Sequence, residues 1–375
     1  MRTSLRWLGV GGAGAAVAAA VALLASNRAA PVPPTVLAVE SSTRGGSAVQ
    51  SLEVFSVGTG ALVRVLTRVS QTLPLAARLG APPAPPRPGG VVFTGFSRGS
   101  DGEIWYATSP QPQLRGHDAG SVVPHSCGGA VYRIPRSGGP AVRVLEVGPD
   151  ATVSAPSPSP DRAWIAYLTG PCVTGARGLR HVVVRSLSDG RQYTVNVAGS
   201  AINNMSWSRD SRRIAVAAYL SLNTHGRLYG YTIVPAGRSV TVSQMATRVA
   251  LLPVYVNQSE GAYCLLASVA FDARGLAAFA QCFSAGAGNP SDGHGVVAQY
   301  TSDGSTLLWQ VPVPVAGDSY PQSALNPDQS GDRVLVIGPS NEELAVGAVW
   351  LSMTGTVHPI PVTTQTYISA PPIAW

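Results

Sequence analysis

Short apolar runs with polar residues at alternate positions recur along the chain, joined in pairs by turns that carry Ser, Asp and Gly. A period of two predicts strands, and a polar, Gly-bearing turn between two such runs predicts a hairpin. One kind of hairpin ends its first strand in a bulky residue ahead of a Ser- or Asn-containing turn. It is read at Phe96 to Ile104, Pro158 to Ile165, Trp207 to Ile214, Phe271 to Leu276 and Leu325 to Val334. A second kind follows each of these, at Leu52 to Val63, Val131 to Gly139, Val182 to Gly190, Tyr229 to Gly237, Val297 to Gly304 and Ala348 to Gly355. A sixth copy of the first hairpin is split. Ile368 to Trp375 supplies the strand that ends in Trp, and Val36 to Val39 supplies the apolar strand that should follow.

Two hairpins make a four-stranded unit, and six copies predict an all-β, six-bladed β-propeller closed by pairing of the C-terminal strand with the N-terminal blade. Successive copies are spaced from 49 residues (Pro158 to Trp207) to 64 residues (Trp207 to Phe271), which suits a blade with variable connections. Alternation gives every blade two faces that stack on its neighbours, and the Gly positions supply the positive φ that tight hairpins need. Closure removes the sheet edge that would otherwise invite aggregation.

The turns Ser159-Pro160-Asp161 and Asn326-Pro327-Asp328, with Trp207-Ser-Arg-Asp210 before Ile214-Ala-Val216, resemble the blade signature of the TolB-like, WD-repeat-related propellers. The resemblance covers about residues 35 to 375 and is degraded at Phe271-Asp-Ala-Arg-Gly275. It implies the exported six-bladed propeller fold, and because that signature is structural it implies a fold and not an activity. Only about ten residues separate the apolar segment from the first strand, so a counterpart of the N-terminal helper domain of the periplasmic translocation proteins is not expected.

Composition agrees with one large β domain. The 375 residues include 41 Gly and 31 Pro, with 45% apolar residues. All 26 basic residues are Arg, as a high-GC coding bias gives. Arg2, Arg6 and Arg28 supply three of the net +7, leaving +4 spread thinly, and no basic run suggests nucleic acid. Arg2 and Arg6 precede an uncharged stretch from Leu8 to Ala25, so residues 1–30 read as a signal peptide or an uncleaved signal anchor, and residues 31–375 as the propeller. The body is then extracytoplasmic, either secreted or held to the membrane by the N-terminal segment alone. Four cysteines suit an exported chain. Cys264 and Cys282 flank a hairpin centred near Ala273 and are expected to pair as a disulfide, while Cys127 and Cys172 lie in equivalent loops of consecutive repeats and are expected to staple them. Their wide spacing, without C-x-x-C, speaks against zinc.

Candidate chemistry is sparse. Gly95-Phe-Ser97-Arg-Gly99 has the G-x-S-x-G pattern of a nucleophile elbow, yet a strand follows where a helix is needed, and Ser97 aligns with Ser159 and Ser208 of the repeat turn. Asp118, Asp292 and the turn aspartates lack the D-x-D-x-D-G spacing of a calcium loop, and Asp161 and Asp210 read as turn caps. Pro82 to Pro88 reads as a stiff connector between blades. His117, His125, His181, His225 and His294 map to the rim that carries the second-to-third-strand loops and the blade-to-blade connections. The long insertions 70–89, 109–129, 170–180, 250–262 and 284–295 map there too, and long loops on a rigid scaffold are a usual place for binding. The expected function is therefore a non-catalytic, monomeric platform that binds a protein partner or a cell-envelope ligand without a cofactor or metal. The alternative is a glycan hydrolase or lyase that uses paired carboxylates in the cavity, with Glu146, Glu260, Glu342 and Glu343 free of the repeat turns.

Overall fold

Strand pairing in the computed structural model follows the two-hairpin repeat. The structure describes residues 35–44, 47–57, 59–72, 90–110, 128–171, 181–195, 201–219, 227–236, 239–245, 263–283, 294–303, 306–313, 324–327, 334–339, 345–352, 355–365 and 373–374. Among the described residues the chain is all β, with strands β1 to β24 in six four-stranded antiparallel sheets and no helix. Sheet one takes the C-terminal β24 (Ile373–Ala374) first, then β1 (Thr35–Arg44), β2 (Ser47–Ser56) and β3 (Leu62–Thr72). Sheet two is β4 (Val91–Arg98), β5 (Ile104–Pro110), β6 (Gly129–Ile134) and β7 (Val142–Val147). Sheet three is β8 (Ala151–Pro158), β9 (Trp164–Pro171), β10 (His181–Ser186) and β11 (Gln192–Val195). Sheet four is β12 (Ala201–Trp207), β13 (Arg213–Tyr219), β14 (Arg227–Ala236) and β15 (Ser239–Met245). Sheet five is β16 (Tyr263–Phe271), β17 (Leu276–Phe283), β18 (His294–Tyr300) and β19 (Leu307–Val313). Sheet six is β20 (Ala324–Pro327), β21 (Val334–Pro339), β22 (Ala345–Leu351) and β23 (Val357–Gln365).

The split copy pairs as the sequence suggests, with Leu37 opposite Ala374 and Ala38 opposite Ile373. Consecutive sheets touch through their first strands, β4 on β8, β8 on β12, β12 on β16 and β16 on β20. β24 meets β4, and β23 meets β1.

Alternation explains the core. In β5, Ile104 and Tyr106 pack with Leu37, Leu52 and Val54 of sheet one, while Trp105 and Ala107 pack with Val153, Ile165 and Tyr167 of sheet three. β9 repeats the device: Ile165 and Tyr167 face sheet two, and Ala166 and Leu168 face Ile202, Met205 and Trp207 of sheet four. The second strands β1, β5, β9, β13 and β17 are buried on both faces, so they read as apolar runs. Each large side chain fully buried this way stabilises the fold by roughly 1.5–3 kcal/mol. Tyr300 is completely buried between sheets four and five, and that burial pushes its hydroxyl up to about 12.

The register corrects one alignment. Arg98, Pro158, Trp207, Phe271 and Pro327 each end a first strand, opposite Ile104, Ile165, Ile214, Leu276 and Val334. Phe96 and Leu325 therefore lie two residues before the place Trp207 fills, and Gly99, not Ser97, opens the turn that Ser159 and Ser208 open in sheets three and four. The backbone N–H groups of Gly99, Ser159 and Ser208 all close that turn, onto Glu103 O, Trp164 O and Arg213 O. Pattern matching on aromatic-plus-Ser missed this because sheet two carries Phe and Ser two positions early.

First strands bulge in sheets two to five, at Phe93/Gly95, Ser154/Ser157, Ile202/Asn204 and Leu266/Ser268. A bulge bends a strand and increases its twist. At Gly95 a Cβ would fall 2.5 Å from the Ala155 nitrogen of sheet three, so this glycine serves the close approach of two first strands.

Candidate functional site

The turns of successive sheets are bonded to one another, so they share one end of the unit. The Ser100 hydroxyl donates to Pro160 O at 2.6 Å, Asp161 N–H donates to Ser211 Oγ at 2.9 Å, and Arg213 donates to Ser302 O at 2.8 Å. Arg162 of sheet three grips Asp101 at 3.1 Å and Glu103 at 3.3 Å, both in sheet two, and Arg133 reaches Glu103 at 3.6 Å. Inside the turns of sheets three and four a Ser bonds the aspartate two residues on, Ser159 to Asp161 and Ser208 to Asp210. Asp210 is held below the ordinary Asp value: partial burial acts to raise it, but the Ser208 hydroxyl, the Arg212 N–H and the charges of Arg213 and Arg212 outweigh that. The turn-cap reading of Asp161 and Asp210 thus has its geometry.

Two of these ties come from residues in left-handed backbone, Arg162 at φ 63° and Ser211 at φ 60°. Gly102, at φ 85°, holds the corresponding place in sheet two. A side chain there costs roughly 1–2 kcal/mol, and these two side chains are the ones that reach the next sheet. Arg162→Gly should therefore unfold at a higher temperature than Arg162→Ala, by the equivalent of about 1 kcal/mol, although both lose the Asp101 and Glu103 pairs. Thermal melts of the two variants check this, and equal stability would remove the strain argument.

The opposite end carries the second-to-third-strand connections and the links between sheets. Six of these connections leave nine or more residues between strand ends: 73–90, 111–128, 172–180, 246–262, 284–293 and 314–323. At the turn end the longest are seven residues, 135–141. His181 opens β10 opposite Thr169, and His294 opens β18 opposite Cys282. Both begin a third strand at the long-connection end, in sheets three and five, which are not adjacent, so the structure does not bring them together. His117, His125 and His225 lie outside the described residues, as do Cys127 and Cys172, Asp118 and Asp292, residues 82–88, and residues 1–34. Among the described residues no helix is long and apolar enough to cross a membrane, and no three His, Cys, Asp or Glu side chains gather as a metal site.

Cys264 stands directly opposite Cys282. The hairpin starts with Phe271 opposite Leu276, a register that would set Cys264 against Phe283; the bulge at Leu266/Ser268 shifts it by one residue.

Ser97 is spent structurally. Its Oγ donates to Pro156 O of sheet three at 2.7 Å, and β5 follows the turn where a nucleophile elbow needs a helix. Of the four candidate carboxylates, Glu146 is exposed and paired with Arg143 at 2.7 Å. Glu260, Glu342 and Glu343 lie outside the described residues. Sequence reasoning passed over Glu53, which is 9% exposed in β2. Burial raises its carboxyl above the ordinary Glu value, and the Ser51 hydrogen bond and the Arg68 charge oppose this only in part. A raised carboxylate costs stability once pH exceeds its unfolded value near 4.3, and the cost vanishes below that value. Glu53→Gln should therefore melt at a higher temperature than the parent at pH 7, with the gap closing as pH falls below about 4. A gap independent of pH would contradict this.

No protein-family model matches the chain, and no curated protein matches it. Among solved structures it is similar to the putative TolB from Agrobacterium tumefaciens, at 14% identity and a TM-score of 0.48 over 89% of this chain and 93% of that one. It is also similar to TolB from Acinetobacter baumannii, at 13% identity and a TM-score of 0.32 over 91% and 82%. A hydrazine synthase of Kuenenia stuttgartiensis matches at 10% identity and a TM-score of 0.43 over 87% and 79%.

Proposed function

We propose that this chain is a non-catalytic, extracytoplasmic, six-bladed propeller, monomeric and closed by β24, that binds a protein partner or cell-envelope ligand through the connections at one end. The observation that carries the reading is the asymmetry of the two ends. One has turns of two to seven residues locked together by hydrogen bonds and ion pairs, and the other spends up to 18 residues on a single connection. Conformational order at one end and chain length at the other is the arrangement of a scaffold that displays loops. The six sheets, the β24–β1 pairing and the contact of β23 with β1 support closure. Residues 1–30 act as the export signal or anchor. The histidines 117, 125, 181, 225 and 294 belong to the displayed end. The spent Ser97 and the paired, exposed Glu146 favour binding over glycan cleavage.

A disulfide between Cys264 and Cys282 is part of the proposal, supported by their opposed register. Mass spectrometry of the unreduced chain should recover the peptide of β16 joined to that of β17.

The functional test is a pull-down from the surface fraction of the native cell, with the full chain as bait. Shortening residues 111–127 or 284–293 is expected to lose the recovered partner, whereas Arg162→Gly at the turn end should keep it. Recovery unchanged by both shortenings would overturn the reading.

A further inference from the structure

One first-strand end departs from its counterparts. Trp207 in sheet four is buried against sheet three, and its Nε1–H donates to Ser157 O there at 2.9 Å. Phe271 fills the same place in sheet five and is also buried. In sheet two the place belongs to Arg98. It lies two residues after Phe96, on the strand face that packs on sheet one. A half-buried guanidinium thus occupies a seam that elsewhere takes an aromatic ring or a proline.

Nothing in the described residues neutralises it. The Arg98 Nε is buried with no hydrogen-bond partner. Arg98 joins none of the ion pairs found among the described residues. The buried acid of this turn, Glu103, is taken by Arg133 and Arg162. The charged neighbour across the seam is another cation, the exposed Arg64 of β3. Desolvation, and then the Arg64 charge, pull Arg98 below the ordinary Arg value. A desolvated guanidinium beside a like charge is costly until an anion joins it, and a guanidinium fork suits the paired oxygens of a carboxylate or phosphate.

We propose that Arg98 and Arg64 form a binding notch for one oxyanion group, carboxylate or phosphate, at the turn end of the seam between sheets one and two. This lies at the end opposite the displayed connections and goes beyond the platform reading. The ligand is a small anion or the acidic side chain of a bound molecule. Arg98 supplies the buried fork and Arg64 the exposed second charge.

The test is thermal unfolding of the full chain titrated with sodium phosphate or sodium succinate, against sodium chloride at matched ionic strength. Phosphate or succinate is expected to raise the Tm by about 2 °C at tenfold excess over its Kd. Arg98→Trp, which restores the residue type of sheet four, should melt no lower than the parent in chloride and lose the response. Arg98→Gln gives the same reading should the Trp variant fail to fold. Arg64→Gln should weaken the apparent affinity about tenfold, the loss of one charge-assisted contact. A response to phosphate alone assigns a phosphoryl ligand, and one to succinate alone a carboxylate. No response beyond chloride in either arm, or a response undiminished without Arg98, would overturn the notch.

Discussion

Deleting residues 366–375 is expected to lower the melting temperature by roughly 10 °C and to make the chain prone to aggregate. β24 is two residues long, yet it covers β1 at Leu37 and Ala38. Val36, Leu37, Ala38 and Val39 are 0–1% exposed, although β1 would be the edge of sheet one without that strand. Baring one side of this apolar run forfeits part of the roughly 1.5–3 kcal/mol that each larger side chain contributes, about 4–6 kcal/mol in all. For a chain of this size 1 kcal/mol moves the Tm by roughly 2 °C. The bared backbone of β1 also becomes an open edge able to recruit another chain. Melting followed by circular dichroism, with light scattering alongside, checks both effects. A truncated chain that melts with the parent would mean that β24 contributes no closure.

Replacing Asp272 by Ala should cost about 3–5 kcal/mol, the penalty for removing one partner of a buried ion pair. The Asp272 side chain is 0% exposed and sits 2.7 Å from the Arg274 Nη2, itself only 12% exposed. Its Oδ1 also accepts from the Arg274 N–H, the Gly275 N–H and Gln299 Nε2. Removing the carboxylate leaves all of these donors buried, and it takes the ion-pair partner at 2.7 Å from the guanidinium that lies over Trp309 and bonds Ser352 O of sheet six. Asp272→Asn keeps an acceptor and should lose less. Adding Arg274→Met to Asp272→Ala should recover part of the loss, because the buried cation that faced the carboxylate goes with it. Denaturant unfolding of the four proteins forms the cycle, and a double variant no more stable than Asp272→Ala would refute the buried-charge account.

The blade pattern was legible because each of its requirements leaves a residue behind. Second strands buried on both faces must be apolar throughout, hence Ile104 to Ala107 and Ile165 to Leu168. Tight turns need Gly or a short polar cap, hence Ser159 with Asp161 and Ser208 with Asp210. The split copy was legible for the same reason, since Val36 to Val39 is too apolar for an edge. Less was legible where tertiary packing overrides pattern. The bulge that sets Cys264 against Cys282 leaves no mark on the alternation, and Arg98 hides because a turn-side Arg reads as ordinary surface. Arg162 and Ser211 at positive φ were invisible too, since sequence favours Gly there and the compensating contacts lie 50 or more residues away, at Asp161 for Ser211 and at Asp101 and Glu103 for Arg162. Of the proposed site, the sequence showed only which strand-to-strand connections are long. It could not say what they bind, because recognition depends on side-chain placement in stretches that carry no repeat.

In the proposed reading, closure of the six sheets by the C-terminal strand underlies both the scaffold and its display of one end. Amide hydrogen exchange of the free chain, read at Leu37 and Ala38, tests it most directly. Adjacent residues point their N–H groups to opposite neighbours, so one of these amides faces β24 and the other β2; closure predicts that the one facing β24 is protected on the scale of the central strands β9 and β13. Its exchange at the rate of an open strand edge, with β9 and β13 still protected, would contradict closure.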